Sequence, residues 1–147
     1  MLEKLTKKNA RGFTLAELLV VVAIIAILVA VSIPIFTSKL EQSREATDVA
    51  NMRAAKAAAT IELFNADTPI TAETTYYYDA DAGKLITSAP ANGYGKGTTK
   101  DGETTYKDYY ANAAYTGSYI IVKAAPGATG EAGGETITLA WNGVTKP

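Results

Sequence analysis

Glu17 is the residue whose setting most plainly asks for chemistry. It stands at the head of an apolar run, and an ionised carboxylate inside a bilayer costs on the order of 3 kcal/mol, so it calls for a partner or a task. A second candidate is Asp79-Ala80-Asp81-Ala82-Gly83, with acids at alternate positions followed by glycine, as at the start of a calcium loop. The later ligands of such a loop are missing: Pro90 stands where an EF-hand needs glutamate, and a turn without metal is the simpler reading. The 147 residues include no histidine and no cysteine, which removes the commonest general base, thiolate metal sites, cysteine nucleophiles and any disulfide. No catalytic residue, metal site or cofactor is expected.

The elements that carry these residues divide the chain in two. Lys4, Lys7, Lys8 and Arg11 against Glu3 make a short basic head. Residues 18–36, LLVVVAIIAILVAVSIPIF, hold no charge, and about 20 apolar residues are what a helix needs to cross a bilayer. The basic head then stays in the cytoplasm and the C-terminal part crosses. Between Phe13 and Ala66 there is no glycine and one proline, Pro34, which predicts one helix of roughly 80 Å, apolar all round in its first half. In its second half Ala46, Ala50, Ala54, Ala57, Ile61 and Phe64 recur at spacings of three and four, which predicts an apolar face for burial, with Arg44, Glu45, Asp48, Arg53, Lys56 and Glu62 mostly elsewhere. The helix is expected to stop at Asp67-Thr68-Pro69.

All nine tyrosines lie from Tyr76 onward, in a part that reads as short strands. Residues 74–78 and 84–87 flank residues 79–83 as a hairpin. Residues 118–123 and 136–141 are further strands, separated by a glycine-rich turn region, and residues 89–105 read as an irregular surface loop. The fold class is therefore α+β: a long N-terminal helix, half membrane-spanning and half amphipathic, packed on a small antiparallel sheet. The tyrosines are ordinary sheet composition, and no basic patch interleaved with aromatics marks a direct nucleic-acid site.

Residues 8–17, Lys-Asn-Ala-Arg-Gly-Phe-Thr-Leu-Ala-Glu, resemble the class III signal of the type IV pilin and pseudopilin family, and the wider pattern of leader, apolar helix, amphipathic extension and sheet covers essentially the whole chain. The resemblance implies a cleaved leader at 1–12, a hydrophobic transmembrane and filament-core helix at 13–37, and a globular pilin domain at 38–147, with amphipathic helix 38–66 and sheet 74–147. It implies that prepilin peptidase cuts between Gly12 and Phe13 and that Phe13 is N-methylated. Gly12, with no side chain, would let a protease approach the backbone closely. Glu17 would pair with the Phe13 ammonium of a neighbouring subunit. Pro34 would kink or locally melt the helix during packing, or is simply a tolerated transmembrane proline. An ordinary secretory signal cut near Ala30-Val31-Ser32 fits less well, because that site is a poor match and the helical periodicity runs on beyond it.

The implied function is that of a major pilin, a structural subunit and not an enzyme. The alternatives are a minor pilin or a secretion or competence pseudopilin and, in another class, a membrane-anchored adhesin or binding module. Implied partners are further copies in a helical homopolymer, prepilin peptidase, an assembly ATPase with its inner-membrane platform, and membrane lipid before assembly. The chain would pass once through the cytoplasmic membrane and end in an extracellular pilus. Cutting after Gly12 removes four bases and one acid, which turns the formal net charge of −1 into −4 on 135 residues.

Overall fold

A computed structural model describes residues 12–65, 70–98, 105–106, 109–110, 113–127 and 135–144. The leader residues 1–11, the expected helix stop at residues 67–69 and most of the glycine-rich turn region lie outside the described residues. Two compact units are present, Met1–Thr37 and Ser38–Pro147.

Helix α1 spans Leu15–Asn65 with Pro34 inside it. Proline removes a main-chain donor within a helix, and here two hydroxyls make local bonds beside it. Ser32 Oγ donates to the Leu28 carbonyl at 2.7 Å, and Thr37 Oγ1 donates to the Pro34 carbonyl at 2.9 Å. In the first unit every large apolar side chain from Leu18 to Phe36 is exposed.

The second unit holds the core. Strands β1 (Thr74–Asp79), β2 (Lys84–Ile86), β5 (Ile120–Ala125) and β6 (Thr136–Trp141) form an antiparallel sheet in the order β2-β1-β5-β6, and β3 (Thr105–Tyr106) pairs with β4 (Tyr109–Tyr110) as a separate ribbon. The expected hairpin is present, with Tyr77 opposite Ile86 and Asp79 opposite Lys84. Its turn is closed by Asp79, whose Oδ1 accepts the N–H groups of Asp81 and Ala82, while Gly83 supplies the positive φ of 66°. That carboxylate is thus engaged in a turn.

On β5, Ile120, Val122 and Ala124 point inward and alternate with Ile121, Lys123 and Ala125. Ile120 and Val122 join Val49, Met52, Ala55 and Ala59 of α1 and Tyr78, Tyr109, Tyr115 and Trp141 in one core. Burying each of the larger side chains stabilises the unit by about 1.5–3 kcal/mol. The tyrosines are the centre of this core. Tyr109 and Tyr115 stack at 4.3 Å, and Trp141 meets Tyr115 at 5.3 Å and Tyr94 at 5.8 Å edge to face. Tyr94 donates its hydroxyl to the Tyr78 carbonyl and accepts the Ile120 N–H, and burial pushes that hydroxyl up to about 12.

Two expectations are corrected. The buried face of α1 is not the alanine stripe: Ala46, Ala50, Ala54 and Ala57 are exposed, and Ile61 is 60% exposed. The face turned inward runs through Glu41, Glu45, Asp48, Val49, Met52, Ala55 and Ala59, three of them acids. The physical reason lies in the second correction. The stretch expected to be an irregular surface loop is irregular, but part of it is packed inside, with Gly95 and Gly97 buried. Its backbone supplies the donors that the acids need. Asp48 accepts the N–H of Lys96 at 2.8 Å and of Gly97 at 2.7 Å, and Glu41 accepts the N–H of Thr98 and an Arg44 guanidinium hydrogen at 3.3 Å. The approach needs glycine. A Cβ on Gly95 would lie 2.0 Å from the Tyr115 carbonyl oxygen, and one on Gly93 would lie 1.8 Å from that of Gly117.

The two acids titrate in opposite directions. For Asp48, burial outweighs the Gly97, Lys96 and Tyr109 hydrogen bonds, with the Glu41 charge adding to it, and holds the carboxyl above its ordinary value. For Glu41, burial also pushes upward, but the bonds from Thr98 and the Arg44 charge together leave it below.

Candidate functional site

The start of α1 is built from four consecutive residues. Thr14 is the N-cap: its carbonyl accepts the first helical bond from Leu18 at 3.2 Å, and its hydroxyl oxygen accepts the Glu17 N–H at 3.1 Å. Glu17 reaches back, and its Oε2 accepts both the Thr14 N–H at 2.8 Å and the Thr14 hydroxyl at 2.7 Å. This is a reciprocal capping box, Thr-Leu-Ala-Glu, that satisfies donors a helix start otherwise leaves unpaired. The carboxylate also sits in the first turn, where the helix dipole favours a negative charge.

Phe13 precedes the cap and is 85% exposed. Together with Ala16, Glu17, Val20 and Val21 it lines a shallow, mostly apolar groove along the helix. Among the described residues, and apart from its chain neighbours, no atom lies within 4 Å of the place a Gly12 Cβ would occupy, so no described contact demands glycine there. Pro34 lies 17 residues beyond Glu17, roughly 25 Å along the axis, and takes no part in the group around the cap.

Glu17 is the only ionisable residue in α1 before Lys39, and the segment Leu15–Leu63 is long and apolar enough at its N-terminal end to span a bilayer. The structure thus brings Phe13, Thr14 and Glu17 into one group at the head of an exposed apolar helix. Thr14 was not singled out from sequence, although the signal is there: threonine followed three residues later by glutamate before an apolar run is the signature of a capping box.

Residues 7–33 match the prokaryotic N-terminal methylation motif. Fimbrial protein Q of Moraxella bovis is 33% identical over 81 residues, which is 55% of this chain and 52% of that protein. The type IV major alpha-pilin of Moraxella bovis is 36% identical over 63 residues, 43% of this chain and 40% of the relative. The matched motif and both relatives point to a likeness to the type IV pilin family. The chain spans about half the length, or less, of the curated pilins it matches. No solved structure matches it. The matched methylation motif takes in Gly12, Phe13, Thr14 and Glu17 and ends one residue short of Pro34, so the capping group falls wholly within the matched segment. The exposed apolar helix that follows the motif fits membrane anchoring.

Proposed function

We propose that the chain is the major structural subunit of a type IV pilus. The observation that carries the reading is a single carboxylate at the head of an exposed apolar helix, four residues after a Gly-Phe junction. Residues 1–12 are a leader removed by prepilin peptidase between Gly12 and Phe13, residues 13–37 the membrane and filament-core helix, and residues 38–147 the globular domain. The open space around Gly12 supports this, because the requirement for glycine then comes from the protease and not from the fold. Phe13 receives the methyl group and keeps its positive charge.

Assembly exchanges lipid contacts for contacts between helices. Lipid and aliphatic side chains are similarly apolar, so burial alone selects no register. A pair between Glu17 and the Phe13 ammonium of a neighbour sets the axial stagger and offsets the desolvation of both charges. An assembly ATPase acting through an inner-membrane platform supplies the work. The assignment to a major subunit leans on the relative named a major alpha-pilin and on the presence of Glu17. Shearing surface filaments and identifying the most abundant subunit by mass spectrometry tests the proposal. An N-terminal methylated Phe13 is the expected result. A filament built from another protein, or a mature chain beginning elsewhere, would overturn it.

A further inference from the structure

The capping box does more than close a helix end. We infer that Thr14 is a positioning residue for assembly, one that orients Glu17 and holds its charge while the subunit is dissolved in lipid. This rests on the proposed pairing of Glu17 with a neighbour's Phe13 amine.

The two oxygens of the carboxylate are treated differently. Oε2 accepts the Thr14 N–H and hydroxyl, at 2.8 and 2.7 Å, whereas Oε1 accepts no hydrogen bond among the described residues. Both bonds to Oε2 are charge-assisted and come from one residue in the same helical turn, so they require no second subunit. In hydrocarbon, where water is absent, a carboxylate held in this way is less poorly solvated than a bare one. The Thr14 hydroxyl is itself fixed by accepting the Glu17 N–H at 3.1 Å, which leaves the threonine and glutamate side chains little rotational freedom.

The consequence for docking is geometric. A glutamate free to sample its rotamers would lose that freedom when an ammonium arrives, and here the loss has already been taken in the single subunit. Oε1 is left as the acceptor for an incoming amine, beside the exposed Phe13 and at the edge of the groove formed with Ala16, Val20 and Val21. Valine at position 14 keeps the shape of threonine and loses the hydroxyl. Serine keeps the hydroxyl and loses only a methyl group.

The test uses the full-length chain in a host with its processing and assembly machinery. Wild type, Thr14→Val, Thr14→Ser and Glu17→Leu are compared for cleavage by immunoblot, for helix content of the purified chain by circular dichroism in detergent, and for filament yield by shearing. Thr14→Val is expected to be cut and helical like wild type yet to give filaments at roughly a tenth of the yield or less, the scale of losing a hydrogen bond to a charged group. Thr14→Ser should restore them. Normal filament yield from Thr14→Val, where Glu17→Leu gives none, overturns the role of Thr14 and leaves the pairing intact. Loss of cleavage in Thr14→Val, or an equal defect in Thr14→Ser, also overturns it. Abundant filaments from Glu17→Leu would sink the pairing itself, and the inference with it.

Discussion

Asp48→Asn asks whether the buried carboxylate under the glycine-rich loop holds that loop or merely tolerates it. The side chain keeps its shape. One oxygen remains, and it can retain the Lys96 N–H bond, now 2.8 Å from a neutral acceptor. The other oxygen becomes an NH₂ group facing the Gly97 N–H, which stood 2.7 Å from Oδ2 and has no way to turn aside. The Tyr109 hydroxyl, 3.3 Å from the same oxygen, can rotate and lose less. An orphaned buried donor costs about 1–3 kcal/mol, and weakening a charge-assisted bond adds about 1 kcal/mol. Against this stands partial relief from the burial that holds the Asp48 carboxyl above its ordinary value. The net expectation is a loss of about 2 kcal/mol, or roughly 10 °C in Tm for a unit of this size. Trp141, the sole tryptophan and buried in the same core, reports unfolding by its fluorescence in the detergent-solubilised full chain. Amide exchange at Gly97 should speed up in parallel. An unchanged or higher Tm at neutral pH would mean that the cost of burying the charge exceeds the worth of its bonds, and would refute the reasoning.

Three further outcomes are expected. Gly95→Ala places a Cβ 2.0 Å from the Tyr115 carbonyl oxygen and 3.1 Å from the Trp141 ring, so it should destabilise the unit by about 3 kcal/mol or more, read by the same fluorescence. Asp48 and Glu41 should tilt the pH profile of stability in opposite senses. The Asp48 carboxyl is raised by folding, so its unfavourable contribution is present near neutral pH and is relieved as pH falls through its folded value, and Asp48→Asn should lose that gain. The Glu41 carboxyl is lowered, so its stabilisation is present above the ordinary carboxylate value and is lost as pH falls through the folded one, and Glu41→Gln should flatten that acid limb in denaturant titrations. Replacing Gly12 by leucine should leave uncut precursor in the membrane on an immunoblot, since no contact among the described residues opposes the side chain but a protease approaching the backbone would.

Much of the architecture was legible because it is written in local pattern. The strand at Thr136–Trp141 falls where the β-rich run predicts it, the hairpin turns at the Asp-Ala-Asp-Ala-Gly stretch, and the next strand, Ile120–Ala125, is displaced by two residues from its expected place at 118–123. The ribbon of Thr105–Tyr106 and Tyr109–Tyr110 escaped notice because two residues per strand leave no alternation to read. The inward face of the helix was misread for a different reason. Alanine is the best helix former on any face and buries only one methyl group, so Ala46, Ala50, Ala54 and Ala57 carry little information about direction, while acids are ordinarily taken as solvent-facing. Glu41 and Asp48 face inward because their donors come from Thr98, Lys96 and Gly97, 48 to 57 residues away, and no periodicity within the helix encodes such partners. At the processing end the position is reversed. Gly12, Phe13 and Glu17 lie within a few residues of one another, and even Thr14, though overlooked, was spelled out by its distance from Glu17.

The manner in which the helix holds the loop over residues 96–98 has a further consequence. Asp48 and Glu41 grip amide hydrogens, which every residue except proline offers, and they take nothing from the Lys96 side chain, which is exposed. The glycines are demanded by crowding from Gly117, Tyr115 and Tyr109, yet the residue between the last two is not. Position 96 can therefore exchange one charge or shape for another with its anchorage undisturbed. A surface carried in this way can alter what it shows to the outside while the skeleton beneath stays the same.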